Sequence, residues 1–140
     1  MATTAAFCNS FKQELLAMTP HTAADVYKIA LYTDAAATLS KSTTAYTATG
    51  EVVGAGYTAG GMALTGFSVT MDGDTALLDW TTDPVWATAT ITADTALIYN
   101  SSRTNKAVAV VKFTSASSTA AAFTVQLPAP AAATGLIRIA

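Results

Sequence analysis

Four aspartates, Asp72, Asp74, Asp79 and Asp83, make the chain's one acidic cluster. Hard cations take several carboxylate oxygens, so calcium binding is the chemistry such a cluster could do. The spacing is not that of an EF-hand loop. Asp72-Gly73 reads instead as the turn of a hairpin, since a type I′ turn needs φ > 0 at both central residues. His21 is the single histidine and Cys8 the single cysteine. Together they could be written as a nucleophile and its base. A cysteine on a helix is far more often a small buried hydrophobe, and no Gly-x-Ser-x-Gly nucleophile turn occurs. Gly54-Ala-Gly56-Tyr-Thr-Ala59 fits a loose dinucleotide pattern, but that chemistry needs the turn to open a helix facing pyrophosphate. Here Gly60, Gly61 and Gly66 and strand-forming residues follow. Trp80, Trp86 and Tyr99 could form an aromatic platform for sugar, although aromatic residues in strands more often pack a core. The expectation is a chain that is not an enzyme, with no catalytic residue, no metal and no cofactor.

The elements that hold these residues are organised around the stretch 50–66, which contains six of the eight glycines. Glycine serves where backbone must take φ > 0 or lie close against another segment. This stretch reads as the corner where the chain turns into its main β body. Ahead of it, Phe7, Phe11, Leu15 and Met18 recur at the spacing of one helix face. Ser10 with Gln13 has capping-box spacing, Thr4 is an alternative cap, and Pro20 stops the helix. That face either lids the core of its own domain or docks on a neighbouring subunit. Residues 25–33 alternate Tyr27, Ile29, Leu31 against Lys28, Ala30, Tyr32, a strand pattern. Residues 34–49 read as a long loop, with Lys41 exposed and Tyr46 as an anchor.

Beyond the corner, strands are expected at 62–71, 75–81, 85–92, 96–100, 107–114, 121–127 and 135–139. Asp83-Pro84 and Asp94 mark turns between them, and 100–106 is a polar loop. Pro128-Ala-Pro130 opens a spacer that cannot be a central strand. The expected fold is mainly β: an antiparallel β-sandwich or jelly roll of about eight strands with one short N-terminal helix. The 140 residues form one domain, with 1–21 a helical arm and 129–140 a spacer and terminal strand.

Charged residues are 11% of the chain, against about 25% in an average globular protein. The surface must therefore be covered by Thr, Ser and Ala; there are 31 alanines and 25 threonines. Such a surface suits burial against neighbours in a large assembly. The net charge is −2 and the seven basic residues are scattered, so nucleic acid is not an expected partner. The uncharged runs 52–71 and 114–137 are broken by glycine, proline and hydroxyl residues, so no membrane span is expected and the protein reads as soluble. No signal peptide is visible at 1–7.

Several segments together resemble small virion proteins of tailed bacteriophages. They are Phe7-Cys-Asn-Ser-Phe-Lys-Gln-Glu-Leu-Leu16, Thr43-Thr-Ala-Tyr-Thr-Ala-Thr-Gly-Glu-Val-Val-Gly-Ala-Gly-Tyr-Thr-Ala-Gly-Gly61, Ala96-Leu-Ile-Tyr-Asn100, Ala107-Val-Ala-Val110 and Phe123-Thr-Val-Gln-Leu-Pro128. The likeness spans most of the chain except 34–42 and 129–134. It is nearest to the head cement, or decoration, proteins, some of which are jelly rolls. The resemblance implies a structural protein on the outer face of the virion capsid, made in the bacterial host cytoplasm. It would clamp neighbouring subunits of the major capsid protein and pair with itself as dimer or trimer. It brings no active residue with it. The residues expected to make the contacts are Phe7, Phe11 and Leu15 on the helix, and Leu136, Ile137 and Ile139 on the terminal strand. A neck, tail or head-fibre component is the alternative among structural proteins, and a carbohydrate-binding jelly-roll module the alternative outside them.

Overall fold

A computed structural model describes residues 3–140 of the chain. It opens with a strand, β1 (Thr3–Phe7), ahead of the helix α1 (Asn9–Leu16). Phe7 therefore closes a strand and does not begin the helical stripe. The backbone continues the pairing by one bond, Cys8 N–H to Val108 O at 2.8 Å, and Cys8 caps the helix without a side-chain bond. Neither Ser10 nor Thr4 caps it. Met18 ends α1 in the left-handed conformation, φ 58°, two residues before Pro20. Of the expected stripe only Phe11 is fully buried, while Leu15 is half-buried and Met18 is exposed.

β2 (Tyr27–Tyr32) follows the expected span, but Ile29, Ala30, Leu31 and Tyr32 are all fully buried. Both faces of this strand are covered. The glycine-rich stretch runs along its edge, where Val52 N–H donates to Leu31 O at 3.0 Å, and a Cβ on Gly61 would stand 1.8 Å from the Ile29 carbonyl oxygen. Gly61 takes φ +75°, so only glycine allows this approach. The expected loop 34–49 contains one short helix, α2 (Asp34–Ala37). Lys41 is exposed, and Tyr46 anchors the rest by stacking on Tyr99 with ring centroids 4.9 Å apart.

β3 (Met62–Ala63) and β4 (Phe67–Asp72) divide the strand expected at 62–71. β5 (Thr75–Trp80) pairs back on β4, with Asp72 opposite Thr75. The loop is thus Gly73-Asp74. Positive φ occurs at Gly73 (59°) and not at Asp74, the type II′ pattern instead of I′. β6 (Val85–Asn100) and β7 (Lys106–Thr124) are each one long strand where two were expected. Asp94 makes no turn. It sits at a register shift between Ala93 and Thr95, where β6 continues unbroken and the extra residues, 113–115, lie on β7. Its carboxylate accepts the Asp34 N–H at 2.6 Å and the Thr95 hydroxyl at 2.9 Å. β8 (Ile137–Ile139) ends the chain.

The strands form two antiparallel sheets, β1-β7-β6-β2-β3 and β4-β5-β8. One hydrophobic cluster runs through both, from Val108 and Val111 to Trp80 and Ile137. Tyr27 joins the layers, its ring 5.5 Å from Phe67 and 5.3 Å from Trp80. The chain is mainly β, and no helix among the described residues is long and apolar enough to cross a membrane.

Candidate functional site

The residues singled out for chemistry are dispersed or built into the frame. Asp72 accepts the Ala132 N–H at 2.8 Å and Asp83 the Leu127 N–H at 2.9 Å, so both tie down the C-terminal segment. Asp79 is buried and its Oδ1 has no partner, and burial raises its carboxyl pKa. Among the described residues no group of three metal-ligating side chains converges. Trp80, Trp86 and Tyr99 are all buried and present no platform. No helix follows Gly54–Ala59; the loop instead runs along β6, and Thr90 N–H donates to Ala55 O at 2.9 Å. Cys8 is fully buried, which pushes its thiol up to about 11. A thiol so placed is a poor nucleophile.

His21 sits in a clamp that fastens the N-terminal arm to the β6–β7 turn. Asn100, at the end of β6, accepts the Ser102 N–H through Oδ1 at 3.0 Å and donates through Nδ2 to Asp25 Oδ2 at 2.9 Å. That fixes which way its amide faces. Nδ2 then donates to His21 Nδ1 at 3.1 Å, so Nδ1 is the acceptor and the proton is on Nε2. Nε2 donates to Glu14 of α1 at 2.5 Å. Arg103 grips Asp25 with two bonds of 2.9 and 3.0 Å, a bidentate pair. This pairing holds the Asp25 carboxyl well below the usual carboxylate range. Every member has a structural partner, and the His21 ring also lines the apolar cleft between α1 and the three-stranded sheet.

The expected contact residues fall into three groups. Phe11, Leu136 and Ile137 are 1%, 3% and 3% exposed, so each is packed into this chain's own core. Phe7 and Leu15 are half-buried, and Phe7 packs edge-on against Phe11 at 6.3 Å. Ile139 is 53% exposed. The helix and terminal strand do meet: Phe11, Leu15, Ile137 and Ile139 line one apolar cleft of about 260 Å³ with Phe67, Val69 and Leu78. Phe7 and Leu136 line a separate hollow, beside Lys12, Lys41 and Arg138.

Val69 and Met71 of β4 carry this apolar face outward, at 62% and 64% exposure. They were not among the expected contact residues. Their signal was the alternation Phe67, Val69, Met71 against Ser68, Thr70, Asp72 just before the Gly73 turn.

No protein-family model matches the chain, and no curated protein or solved structure is detectably similar to it.

Proposed function

We propose that this chain is a structural virion protein that binds the outside of a tailed-phage capsid and cements neighbouring major capsid protein subunits. The observation that carries this reading is the absence of charge from the first half of β6 and the second half of β7, which pair with each other. No residue of 85–93 or 113–124 is ionic, yet Thr88, Thr90, Thr92, Ser115, Ser117 and Thr119 face outward. A free small domain ordinarily gives a quarter or more of its surface to charge, at roughly 25–35%. Small hydroxyl and methyl groups bring no ion to desolvate when another protein covers them. The resemblance of the N-terminal, glycine-rich and strand segments to decoration proteins supports the same assignment. Within this reading the two sheets are the layers of a jelly roll. The order β1-β7-β6-β2-β3, which separates β1 from β2 by two later strands, favours it. Leu15 and Ile139 remain available as contacts, and copies of the chain pair with one another. Repeated over a shell, individually weak contacts sum through multivalency.

Imaging and quantifying heads purified with and without the chain tests the proposal. The expected result is stoichiometric recovery with the major capsid protein and added density at subunit junctions on the outer face. Recovery in few copies at the neck or tail would assign it there instead. Its absence from particles altogether would end the virion reading.

A further inference from the structure

The three-stranded sheet has an unprotected edge. Thr81 N–H donates to Gly66 O at 2.9 Å, and the register of β4 on β5 continues from there, Phe67 opposite Trp80 through Asp72 opposite Thr75. In an antiparallel pair, hydrogen-bonded and non-bonded positions alternate. Ser68, Thr70 and Asp72 therefore direct their backbone groups to β5. Phe67, Val69 and Met71 direct their N–H and C=O groups away from it, along the open side of β4. Native edges are usually guarded by lysine, proline or a bulge. Residues 67–71 have no charge and no proline, and their pairing on β5 has no register shift. The other long open edge, β7 beyond its pairing with β1, is irregular: Ala120 has φ +46° and the ladder slips repeatedly.

We propose that β4 pairs with β4 of a second copy about a two-fold axis through Val69. The antiparallel register sets Val69 against Val69 of the second copy, and Phe67 against its Met71. All three outward-facing residues then meet outward-facing residues, so every free N–H and C=O finds its complement. The side chains match as well. Phe67, Val69 and Met71 gather on one face, and Ser68 lies opposite Thr70 of the second copy on the other. Asp72, the nearest charge, falls opposite Gly66, so no like charges are brought together. A two-fold interface must be self-complementary, and this segment is so in hydrogen-bond phase, in side-chain type and in charge. The result is one sheet running β8-β5-β4 through both copies. It joins the exposed Val69 and Met71 of each face into a single apolar strip. The dimer is a property of the free protein and does not depend on the capsid reading.

Sedimentation equilibrium of the full chain at tens to hundreds of micromolar tests this. The expected result is a species of twice the chain mass. Val69→Lys sets two like charges across the axis, and Val69→Pro removes the central edge N–H without touching the β5 pairing. Both should give monomer, while Val53→Lys, at a 96% exposed position outside β4, should leave the dimer intact. A wild-type monomer overturns the proposal, and so does an assembly that both Val69 variants leave unchanged. Should both variants fail to fold, Val69→Cys decides. Directly opposed hydrogen-bonded residues have Cα atoms about 5.5 Å apart, within disulfide reach. Oxidation should cross-link Val69→Cys faster than Val53→Cys, and equal rates reject the pairing.

Discussion

Tyr57 donates its hydroxyl hydrogen to Glu51 Oε1 at 2.6 Å while its oxygen accepts the Leu31 N–H at 2.9 Å. One phenol thus ties the glycine-rich loop to the buried strand β2. The same carboxylate accepts Tyr46 Oη at 2.6 Å and Gly60 N–H at 2.7 Å, and Tyr99 Oη donates to Gly60 O at 2.7 Å. Glu51 is the pin on which the loop hangs.

Removing that pin should loosen the whole corner. Glu51→Ala leaves three donors without their acceptor and should cost about 2–4 kcal/mol of unfolding free energy, because bonds to charged groups are the stronger ones. Glu51→Gln keeps an acceptor oxygen and should cost less than half as much. Urea titration of the two variants checks the order. Equal losses would mean that the carboxylate contributes shape and not bonding.

The tyrosines around Glu51 make stability fall at alkaline pH. Burial first, then the bond to Glu51, pushes the Tyr46 hydroxyl up to about 12. Its folded-state value lies above the ordinary value of about 10. The folded chain therefore holds this proton longer than the unfolded one. The contribution is complete below pH ~10 and disappears as pH climbs towards 12. Phenolate absorbance should rise late in the native protein and at ordinary pH in denaturant. Coincident curves would reject this.

Asp25 works in the opposite direction. Its bond to Arg103 lowers the folded-state value, so its contribution is present above an unfolded value of about 3.9 and is lost as pH falls below that. Asp25→Asn should flatten the acid limb of the stability curve and loosen the N-terminal arm. An unchanged acid limb would show that Arg103 contributes nothing there.

Asp79 is a liability at neutral pH. Burial raises its pKa, and the charge of Asp83 adds to the effect, against a lowering by the Trp80 backbone bond. Stability is thus lost as pH rises through the interval between its unfolded and folded values. Asp79→Asn should stabilise the chain at pH 7, by on the order of 1 kcal/mol, because the buried position then carries no charge to desolvate. A thermal melt of both proteins settles the sign.

Two glycines with the same sign of φ should respond very differently to alanine. At Gly61 the new Cβ would overlap the Ile29 carbonyl, whereas at Gly73 it would meet nothing within 4 Å. Gly73→Ala should cost only the left-handed penalty of about 1–2 kcal/mol. Gly61→Ala adds a backbone collision and should prevent folding or shift the melt far more.

Much of this was legible in the residues. The Gly73 hairpin, the span of β2 and the glycine corner all rest on local backbone chemistry, and local chemistry is what a sequence displays. β1 is not legible because Thr-Thr-Ala-Ala-Phe has little strand character of its own, and Phe7 also fits a helical repeat. Its strand state comes from pairing with β7, more than a hundred positions away. β6 and β7 each read as two strands because Asp94 and the Ser/Thr run at 114–119 look like turns. In the fold the ladder runs through both, with the extra residues of the register shift on β7, and a bulge differs from a turn only by what lies across the ladder. Which apolar residues lie exposed is half legible for a similar reason. Periodicity finds an apolar face, but whether Phe11 or Val69 is left uncovered depends on which element settles on top.

The chain's one imidazole has neither nitrogen to spare, since Asn100 occupies one and Glu14 the other. Reagents that acylate free histidine should therefore pass over the folded protein, and immobilised nickel should not retain it through this ring. Modification would begin only when the arm lifts from the β6–β7 turn, which makes His21 a built-in reporter of that opening.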